Sequence, residues 1–420
     1  MKLTLANHSI SGMRFGDATR LDGTILSVDQ EELRRELLAD ARLTEVDIEL
    51  VQPGEACRFG AVFDIVEPRA KEPGAGSDFP GILGSISMAG RGTTHVLQGA
   101  AVTVLNERTP VTGGKLVEMS GPAAAETPYA KLHHLVIVPH AREELEGHVF
   151  LNALRIASVK AAVYLARASM RHAATTTEVY ESAGPTESGR EGLPRFAYIG
   201  QIHSRQMVAE VDEQIFYGAN TAGMVPVVLH PNEWLDGAVV CGYMNMGVET
   251  YFYQNHPVIT ELYRWHREKK VTFVGTIATM AASDNEDRTR NSTIAAELAK
   301  WNLAADAVAL TKYGGGAPHA DMALTARLCE ALGMRTAVQV NDMSRDRSTE
   351  SALLFNYPEV DAIVYVGGTD ILWAAPPVQR VISGSPAAAE FLGGLREVAA
   401  SSVCGVTSQQ GLSRVRTFIY

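Results

Sequence analysis

Chemistry-bearing side chains crowd into one segment, Asp236-Gly-Ala-Val-Val-Cys241-Gly-Tyr-Met-Asn245-Met-Gly-Val-Glu249-Thr-Tyr-Phe-Tyr-Gln254-Asn255-His256-Pro257. A thiol, amides, a carboxylate, aromatic hydroxyls and an imidazole follow an apolar run at 225–229. That density suits a site better than a surface loop. Cys241 follows a predicted strand and precedes a glycine; it could act as a nucleophile if its pKa were lowered, and an inert buried thiol is the alternative. Asn245 and Glu249, an amide and a carboxylate, are the accompanying catalytic candidates. Gln254, Asn255 and His256 are binding candidates, with Tyr217 upstream.

A second constellation is Lys312-Tyr-Gly-Gly-Gly316-Ala-Pro-His319-Ala-Asp321. Its glycines would let backbone N–H groups approach an anion at a helix start, with Lys312 as a binding cation. No Gly-Lys-Ser/Thr follows, so this is not a P-loop, and a plain strand-to-helix turn is the alternative. Asn341 could hydrogen-bond a substrate, although an Asx turn looks the same. Arg69, Lys71 and His95 would suit a carboxylate-bearing ligand. The polar stretch at 283–292 reads as helix capping. The histidines at 133, 134, 203, 230, 256 and 319 lack metal-ligand spacing, so no residue is assigned to a metal, and a metal assembled from distant residues stays open.

Elements must position these groups, and the chain is long enough for two or three domains at 420 residues. The first 145 residues read as short strands over 2–5, 24–28, 46–51, 61–66, 94–97, 101–105 and 132–138, with one helix over 30–40. Pro, Gly and Ser concentrate at 73–92, a long functional loop. A long Ala-rich helix follows over 144–170, then a polar, loop-like stretch at 173–194. Beyond it, strands over 195–199, 225–229, 271–277, 305–310, 336–340 and 362–366 alternate with helices over 257–266, 290–301, 318–332 and 348–355. Apolar strands split by amphipathic helices indicate a parallel, doubly wound sheet, whose ligands bind at the carboxyl ends of the strands. The expected fold class is therefore α/β: a β-rich domain at 1–145, a long helix and polar connector at 146–194, and a mostly parallel α/β domain at 195–420.

Composition narrows the function. Apolar residues make up 46%, charged residues 20%, and the net charge is −11. That acidity opposes a general nucleic-acid or anionic-membrane surface. Cys57, Cys241, Cys329 and Cys404 are scattered, with no CxxC pair. No uninterrupted apolar run approaches about eighteen residues, and the amino terminus has no cleavage signature, so a reduced cytoplasmic protein is expected.

Read in order, Pro53-Gly54-Glu55, Ile65-Val-Glu67-Pro68-Arg69, Phe79-Pro80-Gly81, Gly92-Thr-Thr-His95, Met119-Ser-Gly-Pro122 and Glu126-Thr-Pro128 form a recognisable series. It continues through Ala153-Leu-Arg-Ile-Ala157, Ala162-Val-Tyr-Leu165, Asp236-Gly-Ala-Val-Val240 and Gln254-Asn-His-Pro-Val-Ile259. The series resembles the glycine/sarcosine/betaine reductase protein B proprotein subunits, related to the D-proline reductase large subunit. The resemblance implies self-cleavage at a mid-chain Asn-Cys or Thr-Cys bond and conversion of the new terminal cysteine to a pyruvoyl group. The substrate amine then forms a Schiff base there, and a thiol or selenol of a partner subunit displaces nitrogen from carbon.

Here that dipeptide is missing. Aligned from Asp236, the processing position falls near Tyr243-Met244, while Cys241 comes early and follows Val240. The resemblance with this departure implies an uncleaved subunit of a hetero-oligomeric reductase without pyruvoyl, acting on a C–N or related carbon–heteroatom bond of a small amine, beside a thiol- or selenol-bearing partner. Two other readings stay open: a non-catalytic scaffold subunit, and a pyruvoyl enzyme cleaved at Val240-Cys241.

Overall fold

The computed structural model describes residues 1–112, 114–182, 184, 192–204, 217, 221, 223–242, 248–282, 284–312, 316–342, 360–368, 370–408, 410–411, 415 and 418–419. Two larger sheets form around the first part of the chain, beside a small one ordered Gly12–Phe15, Ile25–Val28, Arg20–Asp22. One has the order Thr176–Glu181, Lys2–Ser9, Gly92–Gln98, Arg69–Lys71. The other has the order Lys115–Glu118, Cys57–Val66, Ala100–Leu105, His133–Ala141, Leu43–Val51, and Arg380–Ile382 pairs with Cys57–Val66 from outside this path. The helix Gly147–Arg167 packs on both. Its alanines at 153, 157, 161, 162 and 166 are buried and bring its backbone close to the strands. This helix is long and apolar enough to cross a membrane by length and composition, but 67% of its most apolar window is buried inside the molecule.

The later part builds a third larger sheet, ordered Val227–Leu229, Thr272–Ala281, Arg195–Ser204, Ala307–Thr311, Arg335–Asp342, Ala362–Gly368, Phe418–Ile419. The five inner strands are parallel and the two outer ones antiparallel. Every residue of Thr272–Ala281 is buried, as a strand covered on both faces requires. One face carries Tyr198, Phe273 and Ala278 under the helix Pro257–Arg267, with Ile259, Leu262 and Tyr263 against it. The other carries Ala197, Ile199, Val308 and Leu310 under the helices Asn285–Glu297 and Ala317–Ala331. Arg195–Ser204 lies between Thr272–Ala281 and Ala307–Thr311, so the connection between those two flanking strands crosses it. The crevice outside its carboxyl end is a topological switch point.

The α/β expectation holds, with two local corrections. The stretch at 173–194, expected to be loop-like, contains the strand Thr176–Glu181. Only Tyr180 in it is buried, so the strand has no apolar signature; backbone pairing to Lys2–Ser9 defines it. The helix expected over 290–301 begins at Asn285, because the Asp284 carboxylate accepts from Asp287 N and caps it. The helix expected over 348–355 lies outside the described residues.

Candidate functional site

Asp64, on Cys57–Val66, is fully buried and anchors the 241–250 segment. Its Oδ1 accepts from Thr250 N at 2.8 Å and its Oδ2 from Thr250 Oγ1 at 2.6 Å. Arg155, from the Gly147–Arg167 helix, forms a buried ion pair with Asp64 and donates to the Cys241 carbonyl. Cys241 N donates to Thr250 Oγ1 at 3.0 Å, closing the clamp. Burial raises the Asp64 pKa, opposed by the Arg155 charge. The Cys241 thiol is 1% exposed and donates to the Gly242 carbonyl at 3.3 Å. Burial, then the Asp64 charge, pushes its pKa up. Of the two readings of Cys241, this environment favours the inert buried thiol: desolvation beside a carboxylate opposes the thiolate a nucleophile needs.

A second frame joins Arg69–Lys71 to the two ends of the 236–257 segment. Arg69 Nη2 donates to Glu67 Oε2 at 2.6 Å and to the Gln254 carbonyl at 3.0 Å, and Arg69 Nη1 donates to the Leu235 carbonyl at 2.6 Å. Gln254 reads the Glu67 backbone in both directions, accepting from its N–H at 2.8 Å and donating to its carbonyl at 3.1 Å. Asn255 Nδ2 donates to Glu67 Oε2 at 3.2 Å. Lys71 forms a buried ion pair with Asp236, whose carboxylate also accepts from Gly90 N at 2.7 Å and Thr94 Oγ1 at 2.8 Å.

Between these residues lies a cavity of ≈ 20 Å³, lined by Arg69, Lys71, Phe79, Thr94, Asp236 and Gln254 among others. That volume holds about one water. Phe79 closes it with φ of 39°, an unusual backbone for an aromatic residue, and packs on Gly237, whose φ is 88°.

The structure thus brings Arg69, Lys71, Gln254, Asn255, Cys241 and Glu249 to one region and spreads the other candidates. Glu249 is 1% exposed; Tyr129 OH donates to its Oε2 at 2.8 Å, and its Oε1 has no hydrogen-bond partner among the described residues. His256 is enclosed by Tyr198, Trp234, Phe252 and Tyr253, its Nε2 3.0 Å from Tyr198 OH, and burial lowers its pKa to about 3. Tyr217 donates to Glu233. His95 stacks on His8, with 3.0 Å between ring nitrogens, and does not line the cavity. Lys312 lies at the switch point, 0% exposed. Asn245 and the Tyr243-Met244 position lie outside the described residues, as does the side chain of Asn341. Sequence reasoning missed Asp64, Arg155, Thr250 and Tyr129. Arg155 and Asp64 carried a signal, since each interrupts an otherwise apolar run destined for burial.

Cys241, the cysteine in this segment, is held as a buried thiol behind the fully buried Val240. Among the described residues no cluster of three or more His, Cys, Asp or Glu could hold a metal.

Over residues 1–411 the chain matches the family described as glycine/sarcosine/betaine reductase component B subunits. It is 30% identical, over the full length of both chains, to the glycine reductase complex component B subunits alpha and beta of Acetoanaerobium sticklandii. It is 28% identical to the sarcosine reductase complex component B subunit alpha of Peptoclostridium acidaminophilum, covering 94% of this chain and 92% of that one. It is 29% identical to the betaine reductase complex component B subunit alpha of the same organism, covering 91% and 88%. No solved structure matches the chain. The protein belongs to the glycine/sarcosine/betaine reductase component B subunit family.

Proposed function

We propose that this chain is an uncleaved subunit of a heteromeric reductase that acts on the C–N bond of a small amine, with the attacking thiol or selenol supplied by a partner subunit. The observation carrying this reading is the family match across residues 1–411 joined to the lack of any Asn-Cys or Thr-Cys dipeptide in the sequence. In this reading the chain binds and orients the amine. The partner's chalcogen attacks carbon, the C–N bond breaks, and the nitrogen leaves with the bonding pair as it takes up a proton. Arg69 and Lys71 supply cationic and hydrogen-bonding groups at the cavity, and Gln254 and Asn255 hold Arg69 in place. A ligand larger than one water needs Phe79 or the 236–257 segment to shift, which gives the partner subunit a role in opening the site.

Intact-protein mass spectrometry tests the uncleaved half of the reading. One species near 45.2 kDa is expected; two fragments with a carbonyl-reactive terminus would overturn it. Co-purification with the partner, followed by amine release in the presence of a dithiol, tests the other half. The filled frame and small cavity also favour a scaffold reading. Release that is unchanged in Arg69→Met would shift the assignment to the scaffold. A loss of ten-fold or more supports the site, with melting temperature as the control for folding.

A further inference from the structure

We propose that a second ligand site lies beside the Gly147–Arg167 helix and takes an apolar primary amine, a cationic head carried on an alkyl or arylalkyl body. A cavity of ≈ 540 Å³ opens between that helix, the helix Gln30–Leu38 and the turn at 79–83. Small-molecule sites span roughly 300–1,000 Å³, whereas the cavity at Arg69 holds a single water. Leu83, Tyr164 and Ala168 are partly exposed in the larger cavity, and Leu33, Leu37 and Val163 line it as buried apolar groups. Glu32 and Glu36 are exposed at its mouth, one helical turn apart. Like charges at that i,i+4 spacing repel, and a cation between them removes the repulsion.

The contacts already made set the sign of the ligand's charge. Lys160 Nζ donates to the Glu36 carbonyl, and Arg167 pairs with Asp78 at 3.5 Å. Both cations in the wall therefore have oxygen partners. A hydrogen-bond chain holds Glu32 at the mouth. Asp29 N donates to Thr19 Oγ1 at 2.9 Å, Thr19 Oγ1 lies 2.7 Å from Tyr164 OH, and Tyr164 OH donates to Glu32 Oε2 at 2.7 Å. The tyrosine gives its one proton to Glu32, so the Thr19 hydroxyl donates to the tyrosine. Burial raises the Tyr164 pKa, which keeps that proton in place. Glu32 Oε1 and the Glu36 carboxylate remain to meet an ammonium group.

This site shares a wall with the Arg69 cavity. Ile82 N and Leu83 N both donate to the Phe79 carbonyl, at 3.0 and 3.1 Å. Leu83, which lines the larger cavity, is thus tied to the residue that closes the smaller one. Asp78 meets Arg167 with one oxygen and accepts from Lys71 N at 2.6 Å with the other. An amine bound here bears on the loop over the C–N site. Its binding stands apart from that chemistry, since it needs neither a partner subunit nor turnover.

The test titrates hexylamine into the full-length protein by isothermal calorimetry, with hexanol and hexanoate as controls, and maps the bound state by hydrogen exchange. Saturable one-to-one binding of hexylamine is expected, tighter than that of either control, with exchange slowed in 30–38 and 79–84. Glu36→Gln should weaken it about five-fold, the worth of one partly exposed charge contact. Ala168→Phe, which fills the cavity from the end of the long helix, should abolish it while the melting temperature holds. Hexanol or hexanoate binding as tightly as hexylamine would overturn the cationic assignment. No saturable binding, binding that survives Ala168→Phe, or protection confined to other segments would overturn the site. Should Ala168→Phe fail to fold, Glu36→Gln and the exchange map of the wild type decide.

Discussion

At the scale of single residues, burial sets the character of the site. Asp64 and Arg155 are 0% and 1% exposed and form a buried ion pair. Asp64→Asn leaves the guanidinium facing a neutral amide, so a loss of about 3–5 kcal/mol in unfolding free energy is expected from urea denaturation. A loss below about 1 kcal/mol would mean the clamp is dispensable. Glu233 offers a pH test. Burial raises its carboxyl to about 7, opposed by the His230 backbone N–H that it accepts. A carboxyl with a higher pKa folded than unfolded binds its proton more readily when folded. Its stabilisation is full below the ordinary 4.5 and is lost as pH rises through about 7. Over that window wild type should lose on the order of 3 kcal/mol relative to Glu233→Gln. Parallel curves for the two proteins would refute this.

At the scale of elements, the 73–92 stretch shows how a loop becomes part of a site. Asp78 accepts from Lys71 N at 2.6 Å, Phe79 closes the cavity, and Gly90 N donates to Asp236. Gly81, at φ 84°, lets the loop lie against residue 217: a Cβ there would sit 1.5 Å from the Tyr217 carbonyl oxygen. Gly81→Ala should therefore lift the loop from its seat. Hydrogen exchange within 73–92 should quicken at least ten-fold while the Thr272–Ala281 strand stays protected. Unchanged exchange in the loop would show that its seat does not depend on this approach.

At the scale of the molecule, late segments complete early sheets. Thr176–Glu181 pairs with Lys2–Ser9, and Arg380–Ile382 pairs with Cys57–Val66. The fully buried Arg58 pairs with Glu118 and donates to the carbonyls of Pro376 and Leu392. A fragment of residues 1–145 lacks both strands, those acceptors and the Gly147–Arg167 helix. It should show no cooperative thermal transition by circular dichroism, and a sharp transition with dispersed amide resonances would prove the β-rich part autonomous. The expectation of a domain at 1–145 came from local strand density, which carries no information about which distant segments add to a sheet.

Periodicity by itself determined the order of most strands and helices, including the parallel sheet, because burial on one or two faces writes itself into residue spacing. The density of reactive side chains marked 236–257 and Pro/Gly/Ser content marked the 73–92 loop, and Arg69, Lys71 and Gln254 do line one cavity. Only the tertiary structure decided that Cys241 is a desolvated thiol beside Asp64 and that His256 sits inside an aromatic cage. Desolvation and charge pairing arise from residues far apart in the chain, Asp64 with Arg155 and Thr250, or Lys71 with Asp236, and no local pattern encodes those distances.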